Sequence, residues 1–347
     1  MRVVTPAPRD IWREIVASDP TAFVYQTPEG IDAICAARGE EDASRLYEFP
    51  DGRRLVLPLH RKRGRPAWMS VETSPLIGSL VSPGPVRPDE LRSVLEDLAR
   101  HEAFQVRIVP GALHGEEWEA VVPQHVQRLP KRAHVVDLQD GFEKVWKDRF
   151  NGQGRRGVRK AEKVGLEVEC GRGSALLPEL YDLYRLSVDR WARRGRQPTF
   201  LARWRADRSA SLEELQARMA ALGDACRIWM ARVDGRAAAA IIVLQGANAH
   251  YTMGAMDKEL AGPTRANFLL HKLAIEDACR EGCRYYNMGE TGTSSSLARF
   301  KAHFGATEYS YFEYRLERIP VTALERRLKS WAKRLLRRGS GSAEESS

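Results

Sequence analysis

Residues 250–315 carry the pattern that most restricts how this chain can fold. A β-type run is followed by a Gly/Pro loop, a helix-forming stretch, a short apolar run, a Gly/Ser/Thr loop and an aromatic run. This order predicts strands and helices in alternation. The predicted elements are a strand at 250–256, a helix at 265–280, a strand at 284–288, a helix around 299–301 and a strand at 308–315. Alternating strands and helices are typical of an α/β domain.

Two hairpin signals indicate that the chain contains a second, similar unit. Asp-Gly at 51–52 separates two β-rich runs, and Asp-Gly at 234–235 separates another two. This dipeptide favours a two-residue hairpin turn. Because an Arg and an apolar strand follow in both places, we expect two copies of one unit. The prediction is an α/β fold with two tandem domains, residues 1–130 and 131–320, each a mixed sheet flanked by helices.

Charge and cysteine content restrict the partner and the compartment. The 347 residues carry a net charge of +9, which favours nucleic acid, a nucleotide or an anionic membrane as partner. An arginine-rich proteome gives the same balance without such a partner. Five scattered cysteines argue for a reducing compartment. The chain has neither a membrane-span-length apolar run nor an N-terminal signal pattern. We therefore expect a cytoplasmic protein.

Two basic helices are predicted. The first, at 153–164, carries a set of cations with almost no acid among them: Arg155, Arg156, Arg159, Lys160 and Lys163. They suit a phosphate-rich ligand or simply a solvated face. The second, at 321–338, has an apolar stripe on a basic background. It would lie on the inner face of an anionic membrane, contact tRNA or pack on the protein body. Residues 339–347 are expected to be a disordered tail.

Several segments resemble one known family. They are FVYQTP at 23–28, the strand at 134–138 followed by GRRGVRKAEKVGLEVE at 154–169, and the run GAMDKELAGPTRANFLLHKLAIEDACREGCRYYNMGETG that leads to RFKAHFGA at 299–306. This chain is similar to the Fem-like branch of the GNAT acyltransferases over most of residues 10–318. The resemblance implies two tandem GNAT-like domains, with a final strand that returns to the first. It also implies attack of an amine on an activated acyl donor, which is aminoacyl-tRNA in the peptidoglycan members.

Residues 257–266 indicate which kind of acyl donor the protein would bind. Acetyl-CoA enzymes of this superfamily use a Gly-rich loop whose backbone N–H groups hold the pyrophosphate. Here the junction reads DKELAGPTRA, with one Gly and a Pro that lacks an N–H. This junction argues against acetyl-CoA and for a bulkier donor that is held differently. The resemblance implies that this donor is aminoacyl-tRNA, with acyl-CoA as the alternative, and no further cofactor is expected. Arg265 either meets a phosphate or is a solvated helix-start residue.

The resemblance also implies which residues lie near the reaction centre. Phe300 and Lys301 match the family's Phe-Lys pair, and Lys301 would stabilise the oxyanion or orient the acyl carbonyl. From position alone, a surface Lys beside a core Phe fits as well. Glu290 and Asp257 are candidate general bases. Asn287 stands where the family often has an acid, so no carboxylate role is expected there.

The remaining candidates bind substrate or belong to another class of function. Arg299 and two strand tyrosines, Tyr251 and Tyr286, would contact the donor or form the walls of the cleft. The eight histidines show no metal-ligand pattern such as H-E-x-x-H, so no metal is expected. The acceptor would be a cell-wall precursor or a small amine metabolite, and a nucleotide- or lipid-linked amine is among the alternatives. The alternative is a non-catalytic module that binds tRNA or an anionic surface, and no DNA partner is expected.

Overall fold

The computed structural model describes residues 1–62, 71–72 and 80–318. Its strands are β1 (Arg2–Val4), β2 (Glu40–Asp42), β3 (Arg45–Glu48), β4 (Arg54–Leu57), β5 (His60–Lys62), β6 (Val71–Glu72), β7 (Gln105–Ile108), β8 (Gln127–Asp137), β9 (Glu167–Arg172), β10 (Cys226–Val233), β11 (Arg236–Gln245), β12 (Ala249–Met256), β13 (Tyr285–Glu290) and β14 (Thr307–Glu317). The predicted helix at 321–338 and tail at 339–347 lie outside the described residues.

The helices are short to medium in length, and both Asp-Gly hairpins connect their strands as predicted. The α helices are α1 (Arg9–Ser18), α2 (Pro28–Arg38), α3 (Pro88–Ala99), α4 (Gly115–Val121), α5 (Phe142–Lys144), α6 (Gly152–Val164), α7 (Leu177–Arg194), α8 (Thr199–Ser209), α9 (Leu212–Leu222), α10 (Lys258–Thr264), α11 (Ala266–Arg280) and α12 (Ser295–Ala302). A π-helical turn, Val145–Arg149, extends α5. Within the described ranges, no helix has the length and apolar composition needed to span a bilayer.

Eleven strands form one large mixed sheet. Their order is β2-β5-β6-β7-β14-β8-β13-β12-β11-β10-β9, and β1, β3 and β4 form a separate three-stranded sheet. In the large sheet β6–β7 and β12–β13 are parallel pairs, and the other neighbours are antiparallel. This architecture confirms the predicted α/β class with mixed strands flanked by helices.

The last strand joins the two parts of the sheet. β14 pairs with β8 through nine residue pairs and with β7 through four. Since β7 belongs to the first 130 residues, the final strand returns to the N-terminal part, as the resemblance implied. The predicted boundary at residue 130 falls inside β8. The N-terminal and C-terminal parts of the sheet are therefore joined through β14, which pairs with a strand on each side.

Helices cover both faces of the C-terminal part of the sheet. On one face α1, α2, α7 and α9 enclose a core that includes Ile242, and on the other α6 and α11 enclose a core that includes Ile241. Side chains of successive strand residues point to opposite faces, so these neighbours in β11 serve different cores. Burial of each isoleucine stabilises the fold by about 1.5–3 kcal/mol. The continuous apolar run of β11 follows from burial on both sides.

Asn248 ties the N-terminal part to the start of β12 and β13. Its side-chain amide donates to the backbone oxygens of Pro20 and Ala22, at 2.9 and 3.0 Å. Its carbonyl oxygen accepts from Tyr285 N at 2.9 Å. The side chain is fully buried, so all of these bonds form away from competing water. The loop before α2 is thereby fixed against this end of the sheet.

The sequence prediction was wrong for the segment between β12 and α11, and it missed α8. The expected Gly/Pro loop is the helix α10, because Asp257 caps it by accepting from Glu259 N at 2.9 Å. Pro263 lies near its end, where it removes one backbone bond, and the Thr264 hydroxyl donates to Leu260 O at 2.6 Å. α8 was missed because its residues show no apolar periodicity.

Candidate active site

The parallel strands β12 and β13 separate and leave a wedge-shaped opening. They pair through two residue pairs, the second being His250↔Asn287. β12 then runs on to Met256, paired on its other edge with β11, while β13 ends at Glu290. Within the described ranges, the backbone edge of β12 beyond His250 therefore has no strand neighbour on this side. Such an edge offers hydrogen-bonding groups to a substrate. We call this opening the wedge.

A bulge in β13 produces the separation. The pairing of β13 with β8 shifts register between Asn287 and Glu290. Asn287 Oδ1 accepts from Gly289 N at 2.7 Å, and Gly289 has a φ of 73°, a conformation that favours glycine. A Cβ at this position would also lie 3.2 Å from Tyr251 O. Asn287 therefore has a structural contact in the bulge.

Lys301 is the buried cation at this bulge. The residue is 1% exposed. Its Nζ donates to Gly289 O at 2.7 Å, Glu290 O at 2.8 Å and Thr291 Oγ1 at 3.2 Å. Burial lowers the pKa of Lys301 from its ordinary value of 10.5 to about 8, although the charge of Glu290 acts in the opposite direction. The ammonium thus has three oxygen acceptors and holds α12 against the end of β13.

The contact to Thr291 continues into a chain of polar contacts. Thr291 Oγ1 lies 2.8 Å from His134 Nδ1, and His134 Nε2 lies 3.6 Å from a carboxylate oxygen of Glu308. Burial, and then the charge of Lys301, lower the pKa of His134. A neutral imidazole accepts from Thr291 at Nδ1 and presents its N–H toward Glu308. The chain therefore leads from the buried ammonium to a carboxylate at the surface.

Aromatic side chains pack beside Lys301 on the α11 face of the sheet. The ring centroid of His271 lies 4.8 Å from that of Tyr251 and 5.5 Å from that of Phe300. His271 Nδ1 is 3.2 Å from the Tyr286 hydroxyl. Burial lowers the pKa of His271 to about 3 and raises that of Tyr251 to about 12. Both rings are therefore neutral at physiological pH. Tyr251, Tyr286 and Phe300 were predicted, and the structure brings them together.

Glu290 stands at the end of β13, where its carboxylate is partly exposed. Lys131 Nζ lies 3.1 Å from one oxygen, and the Tyr311 hydroxyl donates to the other at 3.4 Å. The backbone oxygen of the same residue accepts from Lys301. Of the two carboxylates predicted as general bases, Glu290 is the one that lies beside Lys301. Asp257 lies beyond the far end of β12 and accepts a backbone bond as the cap of α10.

The basic helix α6 packs directly on α11 and α12. Asn151 N donates to His303 O at 3.1 Å. A Cβ on Gly154 would lie 2.2 Å from the same oxygen, and one on Gly157 would lie 2.6 Å from the Phe268 ring. Only glycine permits this approach at both positions. The two glycines of the GRRG segment therefore bring the cations of α6 close to the helix that carries Lys301.

The cations of α6 fall into two groups. Arg155 Nη1 donates to the backbone oxygens of Lys147 at 2.8 Å, Trp146 at 3.4 Å and Phe150, so its guanidinium stabilises the end of the preceding helical turn. Lys163 is exposed in the last turn of α6. Three further cations are also exposed and make no hydrogen bond or ion pair with the described residues: Arg156, Arg159 and Lys160. We call these three the α6 face.

Two further arginines predicted to bind substrate lie at the surface. Arg265 is exposed between α10 and α11, with a φ of 60°. Its backbone oxygen accepts from Phe268 N at 2.9 Å. Arg299 is exposed on α12, and its charge adds to burial in lowering the pKa of His303. Arg299 therefore lies on the same helix as Lys301, whereas Arg265 belongs with Asp257 at the far end of β12.

Sequence reasoning missed the buried groups around Lys301. Phe268 and His271 are one helical turn apart on α11, and that spacing could have grouped them. His134 and Thr291 are 157 residues apart in sequence, so no local pattern indicates their contact. His250 is a further omission. It is 2% exposed, its Nδ1 has no partner among the described residues, and burial lowers its pKa to about 3.

Residues 147–309 match the family described as an acetyltransferase (GNAT) domain. This match assigns a GNAT domain to the C-terminal part of the chain, and with the mixed sheet it confirms the predicted resemblance to the Fem-like GNAT branch. No curated protein sequence matches the chain significantly.

Solved structures share this fold at low sequence identity. The crystal structure of FemX is 13% identical with a TM-score of 0.65, covering 90% of this chain and 97% of that one. A tandem GNAT protein from the clavulanic acid biosynthesis pathway is 15% identical with a TM-score of 0.51, covering 92% and 99%. A conserved protein of unknown function from Bacteroides thetaiotaomicron is 12% identical with a TM-score of 0.54, covering 89% and 97%. At these identities the similarity concerns the fold.

Proposed function

We propose that this protein is an N-acyltransferase that moves an aminoacyl group from aminoacyl-tRNA to an amine acceptor. The α6 face carries this proposal. Three exposed cations without internal partners stand on a helix that packs, through Gly154 and Gly157, against the helices lining the wedge. Cations spaced along one helix suit the phosphates of a nucleic-acid backbone.

The form of α10 supports tRNA over acyl-CoA. A pyrophosphate cradle needs successive backbone N–H groups that are free to bind it. Asp257 already accepts from Glu259 N, and Pro263 contributes no N–H. The segment that would hold CoA is therefore a capped helix without a Gly-rich turn. An acyl-CoA-dependent reaction remains the competing hypothesis in the experiment below.

In the proposed reaction the acceptor amine attacks the ester carbonyl of the donor in the wedge. A C–N bond forms, the ester C–O bond breaks, and the ribose hydroxyl leaves with a proton. Glu290 takes the proton from the attacking amine and passes it to the departing ribose oxygen. The buried charge of Lys301 stabilises negative charge on the carbonyl oxygen, an effect that is strong where water is excluded.

The acceptor and the location follow from the same proposal. The acceptor is a cell-wall precursor or a small amine metabolite, and a nucleotide- or lipid-linked amine fits the basic surface. A nucleotide-activated or tRNA donor implies a cytoplasmic reaction. The proposed chemistry requires no metal or cofactor other than the donor, because the ester is already activated.

Filter binding with charged tRNA tests the donor. The full-length protein should retain aminoacyl-tRNA at low salt, and its affinity should fall steeply as salt rises. Deacylated tRNA serves as the control for backbone binding alone. In parallel, acyl-CoA should leave the thermal unfolding midpoint unchanged. Absence of tRNA retention at low salt, together with stabilisation by acyl-CoA, would instead establish the CoA-dependent reaction.

A further inference from the structure

The second half of α7 and the whole of α8 present an apolar surface to solvent. Four large side chains there are exposed: Leu186 by 47%, Trp191 by 54%, Phe200 by 76% and Trp204 by 54%. We call this surface the α7–α8 face. The described residues contain seven exposed large hydrophobic side chains, and four of them lie within these 19 positions. Such a concentration marks an interaction surface.

α8 has an incomplete set of packing contacts. None of its eleven residues is buried. It is held to α7 by polar contacts, in which Arg203 Nε donates to Asp189 Oδ1 at 2.7 Å and the Tyr181 hydroxyl donates to Asp207 at 2.7 Å. Helices of this length are marginal in water unless an apolar face is packed. Phe200 and Trp204 therefore need a partner that the described residues do not supply.

The charge around these side chains indicates an anionic partner. Residues 185–208 contain eight arginines, two aspartates and no lysine. Both aspartates already bind inside the helix pair, to Arg203 and Tyr181. Six exposed arginines lie in the same segment as the aromatic residues: Arg185, Arg193, Arg194, Arg196, Arg205 and Arg208. The Arg208 guanidinium lies 4.9 Å from the Trp204 ring centroid.

We propose that the α7–α8 face docks on a lipid bilayer that carries anionic phosphate headgroups. Trp, Phe and Leu side chains enter the boundary between headgroups and acyl chains, while arginines pair with phosphates. A nucleic-acid duplex would use the arginines but leave Leu186 and Phe200 without an apolar environment. The bilayer satisfies both sets of groups at one surface.

The open end of the wedge lies next to this face. Arg190 Nη1 and Ser187 Oγ donate to Met256 O at 3.2 and 3.3 Å, so α7 contacts the last residue of β12 with one side and carries Trp191 on another. Docking would bring the bilayer close to the wedge and would suit a lipid-linked acceptor. Membrane docking itself does not depend on the identity of the acyl donor.

Flotation of the full-length protein with vesicles tests the proposal. We expect binding to vesicles of phosphatidylcholine with phosphatidylglycerol and much weaker binding to phosphatidylcholine alone. Phe200→Ser with Trp204→Ser should lower the partition coefficient at least about tenfold. Arg193→Gln and Arg194→Gln should each lower it about fivefold. Leu297→Ser is the matched control, because Leu297 is 37% exposed on α12, away from this face.

Several results would overturn the proposal. They are no binding of the wild type to the anionic vesicles, or unchanged partition of the Phe200/Trp204 double variant. Loss of partition only in Trp331→Ser with Leu335→Ser would assign the contact to residues 321–338. A change from dimer to monomer in the Phe200/Trp204 variant would assign the face to a second copy of this chain. Loss of tRNA retention in the Phe200/Trp204 variant, without loss of vesicle binding, would assign the α7–α8 face to nucleic acid. Because α8 has no buried residue, the variants should keep the wild-type unfolding midpoint.

Discussion

Lys301 and the α6 face are neighbouring sets of cations in opposite environments. Lys301 is buried and donates to three protein oxygens. The three residues of the α6 face are exposed and bind nothing among the described residues. α6 and α12 are in direct contact through the bond from Asn151 N to His303 O. A cation that is already satisfied inside the protein acts through its charge and position, whereas an unsatisfied one is available to a ligand.

Replacement of Lys301 should have the largest effect. Lys301→Met keeps the length of the side chain but removes the charge, so we expect kcat to fall by about 10²–10³. Single-turnover transfer measures this. Lys272→Met on α11 is the control, since Lys272 Nζ pairs with Glu276 at 2.7 Å and lies 5.4 Å from the Phe142 ring centroid. It should retain nearly wild-type kcat.

The fold must be intact for this comparison to hold. Met at 301 leaves Gly289 O, Glu290 O and Thr291 Oγ1 without their donor, which costs stability. Thermal unfolding should therefore be measured beside kcat. Wild-type kcat in a folded Lys301→Met protein would mean that Lys301 has no role in transfer.

The pH dependence tests whether the charge of Lys301 is the active form. Its pKa is lowered to about 8, so the ammonium is present below that pH and lost above it. We expect kcat to fall about tenfold per pH unit above 8. Lys301→Arg should lack this limb, because arginine stays charged. A wild-type profile that is flat from pH 8 to 10 would contradict the role of the charge.

Stability should respond to pH in the opposite direction. The pKa of Lys301 is 10.5 unperturbed and about 8 in the folded protein. Between these values the unfolded chain binds more protons than the folded one, so this group makes the protein more stable as pH rises. A fall in kcat over the same window therefore cannot be attributed to unfolding caused by Lys301.

Substitution of the α6 face should affect binding and leave the chemistry unchanged. Arg156→Gln, Arg159→Gln and Lys160→Gln together should weaken aminoacyl-tRNA binding about tenfold and reduce the salt slope by about two to three. At saturating donor, kcat should be close to wild type. A control variant with Arg2→Gln, Arg100→Gln and Lys144→Gln removes the same charge from other exposed positions. Equal weakening by both triple variants would show a general charge effect instead of a site.

The elements of this fold could be predicted where periodicity was strong. The strand and helix of β12 and α11 agree with the pattern within one residue at their ends. α10 could not be predicted because its formation depends on a side-chain cap at Asp257 and tolerates a proline. α8 has no buried residue, so it carries no periodic apolar signal.

Individual residues of the candidate site could be predicted from the sequence, but the contacts between them could not. Resemblance pointed to Phe300 and Lys301, and strand position pointed to Tyr251 and Tyr286. The bulge at Gly289 depends on a register shift that single-strand patterns do not contain. The fold also decides which cations of α6 have hydrogen-bond partners in the protein. No sequence pattern distinguishes Arg155, which has such partners, from the adjacent Arg156.

Arg155 and Arg156 allow the smallest but most direct test of the comparison. Arg155 donates to backbone oxygens of Trp146, Lys147 and Phe150. Arg155→Met should therefore lower the free energy of unfolding by about 1–2 kcal/mol. Arg156→Met should change it by less than about 0.5 kcal/mol, as expected for an exposed residue without a partner.

The ligand affinities of these two variants should show the reverse order. Arg156→Met should weaken aminoacyl-tRNA binding, and Arg155→Met should leave it close to wild type at temperatures where the variant is folded. Urea unfolding and filter binding on the same preparations measure both quantities. If Arg155→Met weakened tRNA binding while stability stayed unchanged, its guanidinium would have to leave the helix end and contact the ligand. The distinction between cations bonded within the protein and cations free to bind a ligand would then fail for Arg155 and Arg156, which are adjacent in the sequence.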